Sequence, residues 1–339
     1  MIKAIGIVSP NREIDKDADA LMRLCALYNV PAYFYCLFDL DIKNGTVPAK
    51  VWTGDDYKSV TTEVPLFSEC RFLPGQRMRE NIGDELSDFL TEKTILIENH
   101  ALTKSRLSQA LLLSDLYRFA IPTYTVTNYG QAIMHAHMFK SAILKPSCGR
   151  QGREIYRLTE KNSVVYQTQD TETIFTEQDF LDYQARIAAM GFGEPIMQPF
   201  LNFTLDEDHA VDFRLLVSRG GTGDWELVAN HSCIGAKDTV SNVAQGGYMG
   251  DTDETLQMIS PERAASLKLD VLMIGAELPK IIQRYCEKPI CCLGIDVGID
   301  RNSYQPYILE ANTIPGTKYH LWNLAEKKVQ YFRYLLDNH

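Results

Sequence analysis

Asp296, Glu310 and Asn312 are the residues of this chain whose types and spacing most readily support chemistry. They lie in Gly294-Ile-Asp-Val-Gly-Ile-Asp-Arg-Asn-Ser-Tyr-Gln-Pro-Tyr-Ile-Leu-Glu-Ala-Asn-Thr-Ile-Pro-Gly316, where two apolar strand-like runs flank a polar turn. Glu310 and Asn312 stand two apart, so on a strand they point to one face. Hard oxygen ligands on a rigid face suit Mg²⁺ shared with substrate phosphates. Taken alone, the stretch reads equally as a surface hairpin with incidental acids. The tie is broken upstream, at Ala142-Ile-Leu-Lys-Pro-Ser-Cys-Gly-Arg-Gln-Gly152. There an apolar strand delivers Lys145, and a glycine-bearing loop follows, in which backbone N–H groups can approach phosphate oxygens beside a lysine point charge. No Gly-Lys-Ser/Thr opens a helix, so this is not a P-loop, and the glycine spacing is not that of a dinucleotide fingerprint.

Together these segments resemble the ATP-grasp superfamily. Leu309-Glu-Ala-Asn-Thr-Ile-Pro-Gly316 is similar to the closing motif of D-alanine–D-alanine ligases, and Lys145 to Gly152 to the family's Lys-Pro-x-x-Gly-x-x-Gly loop. Val211-Asp-Phe-Arg-Leu-Leu-Val217 and Ser241-Asn-Val-Ala-Gln-Gly-Gly247 resemble segments of the ribosomal-protein glutamate ligases. The whole set, from about Lys104 to the C-terminus, is most like the YheC/YheD branch, named for endospore coat-associated proteins.

The resemblance implies an ATP-grasp fold, two α+β lobes sandwiching ATP. It also implies an ATP- and Mg²⁺-dependent carboxylate–amine ligase working through an acyl phosphate. Lys104 and Lys145 then hold phosphates, with Gly149, Gly152 and Asn242 on loops around the triphosphate. Met197-Gln-Pro-Phe-Leu201 matches the adenine hinge around Gln198, with the carbonyl on Pro199 and the N–H on Leu201. Asp206 or Asp208 serves the ribose. Asp296, Glu310 and Asn312 hold two Mg²⁺ ions. Arg214, whose fork fits oxyanions bidentately, and Lys145 act on the transferred group. The partners implied are ATP, a carboxylic acid and an amine. A non-catalytic nucleotide-binding protein with a structural or assembly role, and a small-molecule kinase, share most of this set.

Some positions depart from the family pattern. Relatives often carry arginine two residues before the metal-binding aspartate, where this chain has Gly294. The glutamate ligases place arginine where this chain has Val240, and again on the preceding strand, where it reads His231-Ser-Cys-Ile-Gly235. These losses leave ATP and Mg²⁺ binding intact and bear on the acyl-acceptor chemistry. His231 borders the site. His135 and His137 form a His-x-His that could hold metal on a strand, but no third ligand is near.

The elements needed to position these residues fall into three stretches: an α/β unit over 1–102, a small lobe over 103–194 and a large lobe over 195–339. In the first, strands are expected at Ile2–Val8, Pro31–Leu40, Val47–Trp52 and Thr94–Ile97, with a helix over Asp15–Asn29 and a turn at Asn44-Gly45. Pro48 predicts that its strand is at best an edge strand. A helix N-capped by Thr103 is expected to run to about Phe119, placing Lys104 in its first turn. Another, after Pro261, carries a core stripe of Leu267, Val271, Ile274, Leu278, Ile281 and Tyr285.

Composition is consistent with this α/β class. The chain has 339 residues, too many for one ordinary core, with 45% apolar and 23% charged residues. A net charge of −10 argues against a nucleic-acid binder. No stretch has the length and apolarity of a membrane span, and the N-terminus reads as a core strand without a cleavage site. Eight cysteines are scattered without a Cys-x-x-Cys pair, as expected of buried thiols in a reducing cytoplasm.

Overall fold

Three β-sheets organise the chain in a computed structural model, which describes all residues except 71–82, 98–101, 149–152, 169–171, 207–208, 237–246, 287 and 317–318. The first sheet has the order β4-β3-β2-β1-β5-β6, from β1 (Ile2–Ser9), β2 (Ala32–Cys36), β3 (Thr46–Trp52), β4 (Tyr57–Glu63), β5 (Pro65–Cys70) and β6 (Ile95–Ile97). Strands β2, β1, β5 and β6 run parallel. The crossover from β1 to β2 is α1 (Lys16–Leu27), whose N-cap Asp15 accepts from the Ala18 amide. It buries Ala18, Leu21, Met22 and Cys25, the stripe expected from their spacing. Helix α2 (Asp84–Lys93) precedes β6.

Pro48 misleads as an edge signal. Strand β3 lies between β2 and β4, and the polar, exposed β4 is the edge. The proline is tolerated because β2 pairs with β3 only at Lys50 and Ala49, which leaves Pro48 beyond that ladder.

The second sheet, β11-β10-β9-β8-β12-β7, is antiparallel throughout. Its strands are β7 (Tyr124–Thr125), β8 (Ser141–Pro146), β9 (Tyr156–Lys161), β10 (Val164–Thr168), β11 (Glu172–Ile174) and β12 (Pro195–Pro199). Helices α4 (Tyr129–Phe139) and α5 (Glu177–Ala189) share a core with it. His135 lies on α4 and packs with Tyr124 and Phe139, and burial pushes its pKa down. It is thus a core histidine on a helix.

The third sheet, β15-β14-β13-β16-β17, comprises β13 (Val211–Arg219), β14 (Trp225–Ile234), β15 (Tyr248–Gly250), β16 (Cys292–Ile299) and β17 (Pro306–Asn312), again antiparallel. Helices α3 (Lys104–Leu112) and α7 (Ala264–Gln283) build a core with it, and α6 (Thr252–Ile259) contributes Leu256. Helix α3 is shorter than expected. The Ser114 hydroxyl donates to the Leu111 carbonyl and accepts from the Leu116 amide, taking over backbone groups that another turn would use. A 3₁₀ turn at Tyr117–Phe119 follows, and Ala120 bridges to Ile308 of β17. The α7 stripe is buried as far as Ile281, whereas Tyr285 lies beyond the helix and is exposed.

Helix α8 (Leu321–Asp337) joins the first and third sheets. Its Leu324, Val329 and Phe332 share a core with Ile5, Leu21 and Phe34 on one side and with Leu216 and Cys292 on the other. No helix among the described residues is long and apolar enough to cross a membrane.

Candidate functional site

Strand β16 is buried along its whole length, so each of its side chains faces another packed layer. Its register with both neighbours puts charged groups in a row. Arg214 of β13 pairs with Asp296, and Asp296 pairs with Glu310 of β17. One rung on, Gly294 pairs with Asn312. Residues directly opposite on antiparallel strands share a face, so Arg214, Asp296, Glu310 and Asn312 do so. A bulge between Asp296 and Val297 shifts the register only beyond this row.

Arg214 clamps Asp296 with two hydrogen bonds. The Nε donates to Oδ1, and Nη2 donates to Oδ2 at 2.8 Å. Burial pushes the Asp296 carboxyl up, Arg214 opposes it, and the Glu310 charge adds to the rise. For Arg214 burial works against the charge, but Asp296 outweighs it and holds the guanidinium above its ordinary range.

Two lysines close the other end of the row. Lys104 is the first residue of α3, behind the Thr103 cap that accepts from the Arg106 amide. The Lys104 amide donates to the Ser147 carbonyl at 3.1 Å, tying the helix start to the end of β8, which carries Lys145. Lys104 Nζ lies 3.6 Å from Glu310 Oε2. Lys145 is half-buried by overall surface, but its ammonium is enclosed. Burial pushes it down to about 7, with Lys104 acting in the same direction and Glu310 against.

The remaining predicted residues divide clearly. The Gln198 amide is buried and donates to Thr123 Oγ1 at 2.7 Å, while Pro199 pairs with Ala142 at the end of β12. Leu201 follows in the segment from β12 towards β13, and the Phe200 amide donates to Ser141. The Asn202 amide donates to Asp300 Oδ1 at 2.9 Å, linking that segment to the β16–β17 turn. Asp206 is exposed and accepts from the His209 amide at 2.8 Å, apart from the carboxylate row. Gly149, Gly152, Asp208, Val240 and Asn242 lie outside the described residues.

His231 pairs with Arg214 across β13 and β14. Burial, His320 and Arg214 together push it down to about 4, so it is neutral at pH 7. His320, whose ring lies 5.3 Å from that of His231, carried no signal in the sequence. Gly294 is packed closely: a Cβ there would stand 2.8 Å from Pro315 Cβ and 3.6 Å from Arg214 Cδ. The position where relatives carry arginine is therefore closed by Pro315, with the Arg214 side chain beside it.

The donor set fits a divalent cation completed by substrate. Among the described residues no three His, Cys, Asp or Glu side chains gather as a metal cluster. Mg²⁺, however, is commonly held by one or two carboxylates with phosphate oxygens and water. Asp296 and Glu310 on adjacent strands, with the Asn312 amide beside them, supply that arrangement.

A family model described as YheC/D like ATP-grasp matches residues 93–337. Over 342 aligned residues the chain is 26% identical to the endospore coat-associated protein YheC of Bacillus subtilis (strain 168), covering 97% of this chain and 93% of that one. The crystal structure of D-cycloserine synthetase DcsG superposes with a TM-score of 0.53 at 15% identity, over 97% of this chain and 99% of its own. D-alanyl-alanine synthetase A from Vibrio cholerae O1 biovar eltor superposes with a TM-score of 0.51 at 12% identity, over 100% of both. At these identities the two structures establish a common fold. With the three-sheet architecture and the family match over most of its length, the chain belongs to the YheC/D-like ATP-grasp family.

Proposed function

We propose that this protein is an ATP- and Mg²⁺-dependent carboxylate–amine ligase that forms an amide or peptide-like bond. The observation that carries the reading is the row from Lys145 and Lys104 through Glu310 and Asp296 to Arg214. It provides cations for phosphate, carboxylates for metal and a guanidinium for an oxyanion, brought together from the third sheet, the start of α3 and the end of β8.

In the proposed reaction a substrate carboxylate oxygen attacks the γ-phosphorus of ATP, and the bond to the β-phosphate oxygen breaks, giving ADP and an acyl phosphate. The amine nitrogen then attacks the acyl carbon. The carbon–oxygen bond to phosphate breaks, inorganic phosphate leaves, and the nitrogen loses a proton. Such transfers need alignment and charge neutralisation more than a protein nucleophile. Lys145 and Lys104 hold phosphate oxygens, and an anion beside Lys145 restores the charge that burial disfavours. Arg214, fixed by Asp296, keeps its charge and meets the transferred group or the tetrahedral oxyanion. Asp296, Glu310 and Asn312 would hold two Mg²⁺ ions, whose chemistry is to neutralise the phosphate oxygens. Gln198, Pro199 and Leu201 frame the adenine and Asp206 the ribose. Gly149, Gly152 and Asn242, outside the described residues, are assigned to the triphosphate by the family resemblance alone. The match to relatives named as synthetases of similar fold supports the reaction class.

A second reading, non-catalytic nucleotide binding in a structural assembly, draws on two observations. The acceptor-side position Gly294 is closed by Pro315, and the relative YheC is named as endospore coat-associated. Release of ADP and phosphate from ATP and Mg²⁺, measured across pools of amino acids and short peptides, decides between them. Turnover that requires both an acid and an amine, and that Glu310→Ala abolishes, supports the ligase. Tight Mg²⁺-dependent ATP binding without turnover across the pools supports the second reading.

A further inference from the structure

The row of functional groups does not stop at Arg214. His231 of β14 lies directly opposite Arg214, so it takes the same face of the third sheet, one strand further from Glu310. On that face, Leu216 of β13 and Cys292 of β16 share a core with α8. His320, the residue that precedes α8, brings its ring to 5.3 Å from that of His231, tilted by 30°. The two imidazoles thus stand where the packed cover of the face ends and the proposed active site begins.

Each ring has one nitrogen buried without a hydrogen-bond partner among the described residues, Nδ1 in His231 and Nε2 in His320. A buried polar atom left unpaired is costly, and the usual remedy is a group from water or ligand. In a neutral imidazole the partner decides which nitrogen carries the proton, so both rings can present an N–H to one acceptor. Their surroundings favour an anionic acceptor. Burial, His320 and Arg214 all push His231 down, and no carboxylate is among the groups that act on it. The nearest acid of the row, Asp296, is held by Arg214. A cation would meet the guanidinium at close range, whereas a carboxylate can accept from both rings.

We propose that His231 and His320 form a carboxylate-binding pair, and that the carboxylate they take belongs to the amine substrate, which is then an amino acid or a short peptide. Order along the row makes the assignment: Asp296 and Glu310 lie towards the lysines, Arg214 meets the reacting group, and the histidines lie one strand beyond, where the non-reacting end of the incoming amine falls. That assignment rests on the ligase function proposed above, whereas carboxylate binding by the pair does not.

The test follows the histidine ring resonances of the full chain by NMR, without ATP, during titration with sodium acetate. Acetamide is the neutral control and sodium phosphate the competing anion. Acetate is expected to shift both rings saturably and to bind at least about tenfold more tightly than acetamide, the worth of one charge-assisted hydrogen bond. His320→Leu should weaken acetate by a similar factor, and His320→Gln, which keeps a donor near Nε2, should restore much of the loss. His231→Leu and His231→Asn repeat the comparison at the other ring and carry the test if the His320 variants fail to fold. Acetate that shifts neither ring, equal binding of acetamide, or affinity unchanged in both leucine variants would overturn the proposal. Phosphate that displaces acetate from the rings at lower concentration would overturn the choice of a carboxylate. Turnover assays separate the pair from the ligase reading. Acetate binding retained with no ADP release in any pool sinks the ligase and spares the pair. Turnover that accepts amino-acid amides as readily as amino acids, with the amine KM unchanged in His320→Leu, sinks the assignment to the amine and spares the ligase. An amine KM raised at least about tenfold in His320→Leu, with kcat kept, supports both.

Discussion

Lys145 and Lys328 are both buried lysines, which burial pushes down to about 7 and about 8, yet their surroundings are opposite in charge. Lys328 has Glu69 in direct contact, and Asp17 supports its charge. Lys145 has a second lysine beside it. Its nearest influential acid, Glu310, lies 3.6 Å from Lys104, and among the described residues no carboxylate comes within ion-pair distance of Lys145. Among the described residues, Lys328 has its counter-charge in direct contact, whereas Lys145 has none within ion-pair distance. Burial alone therefore does not say what a lysine does. The counter-charge within reach does, and its absence at Lys145 among the described residues fits the phosphate contact proposed above.

The largest effect that would sharpen this contrast is on turnover. Glu310→Ala removes a proposed metal ligand and the acid beside Lys104, and should lower ATP turnover by at least about a hundredfold, as measured by ADP release. Next is the response of the two regions to losing their lysine. Lys328→Met strands Glu69 as a buried unpaired acid and should destabilise the fold by about 3 kcal/mol in urea unfolding. A neutral result there would mean that the pair is solvated and the contrast false.

Gly294→Ala should cost roughly 1–3 kcal/mol, because the new methyl meets Pro315 Cβ at 2.8 Å and forces that segment outward. The same denaturant measurement checks it.

The smallest effect is of opposite sign. The folded Lys145 ammonium ionises near 7 instead of its ordinary 10.5. Between those values the unfolded chain holds more protons, so this group's contribution to stability rises with pH across that window. Its cost is full below pH 7. Lys145→Met should therefore stabilise the protein at pH 6 by about 1 kcal/mol, allowing for partial solvent access, and the gain should fade by pH 10. ATP binding near pH 8 should also draw a proton onto Lys145 in the wild type, with no such uptake in Lys145→Met, seen as buffer-dependent binding heats. A stability loss at pH 6 would show that Lys145 already has an anionic partner.

Much of the fold was legible along the chain. The stripe of α1, the Thr103 cap, the β16–β17 hairpin and the α7 core face each follow from local spacing, because period and capping are local properties. The misreadings were also local rules overridden at a distance. Pro48 looked like an edge because sequence does not reveal how far β2 pairs with β3. The helix after Thr103 looked longer because the Ser114 hydroxyl competes for its last turn. Of the site, Asp296, Glu310 and Arg214 were named from motif and residue type, and the structure places them in one row. His320 was invisible, and Glu69 gave only the faint sign of an acid in an apolar strand.

By itself the sequence determined which residues carry charge and which face of its strand or helix each would take. Side-chain period is fixed within a few residues of chain. Only the tertiary structure decided the partners: that Arg214 holds Asp296, that Pro315 closes over Gly294, and that Glu69 meets Lys328 across 259 residues with one oxygen left over. Burial and register arise from packing elements far apart in the chain, and they set the missing charge that distinguishes the two lysines.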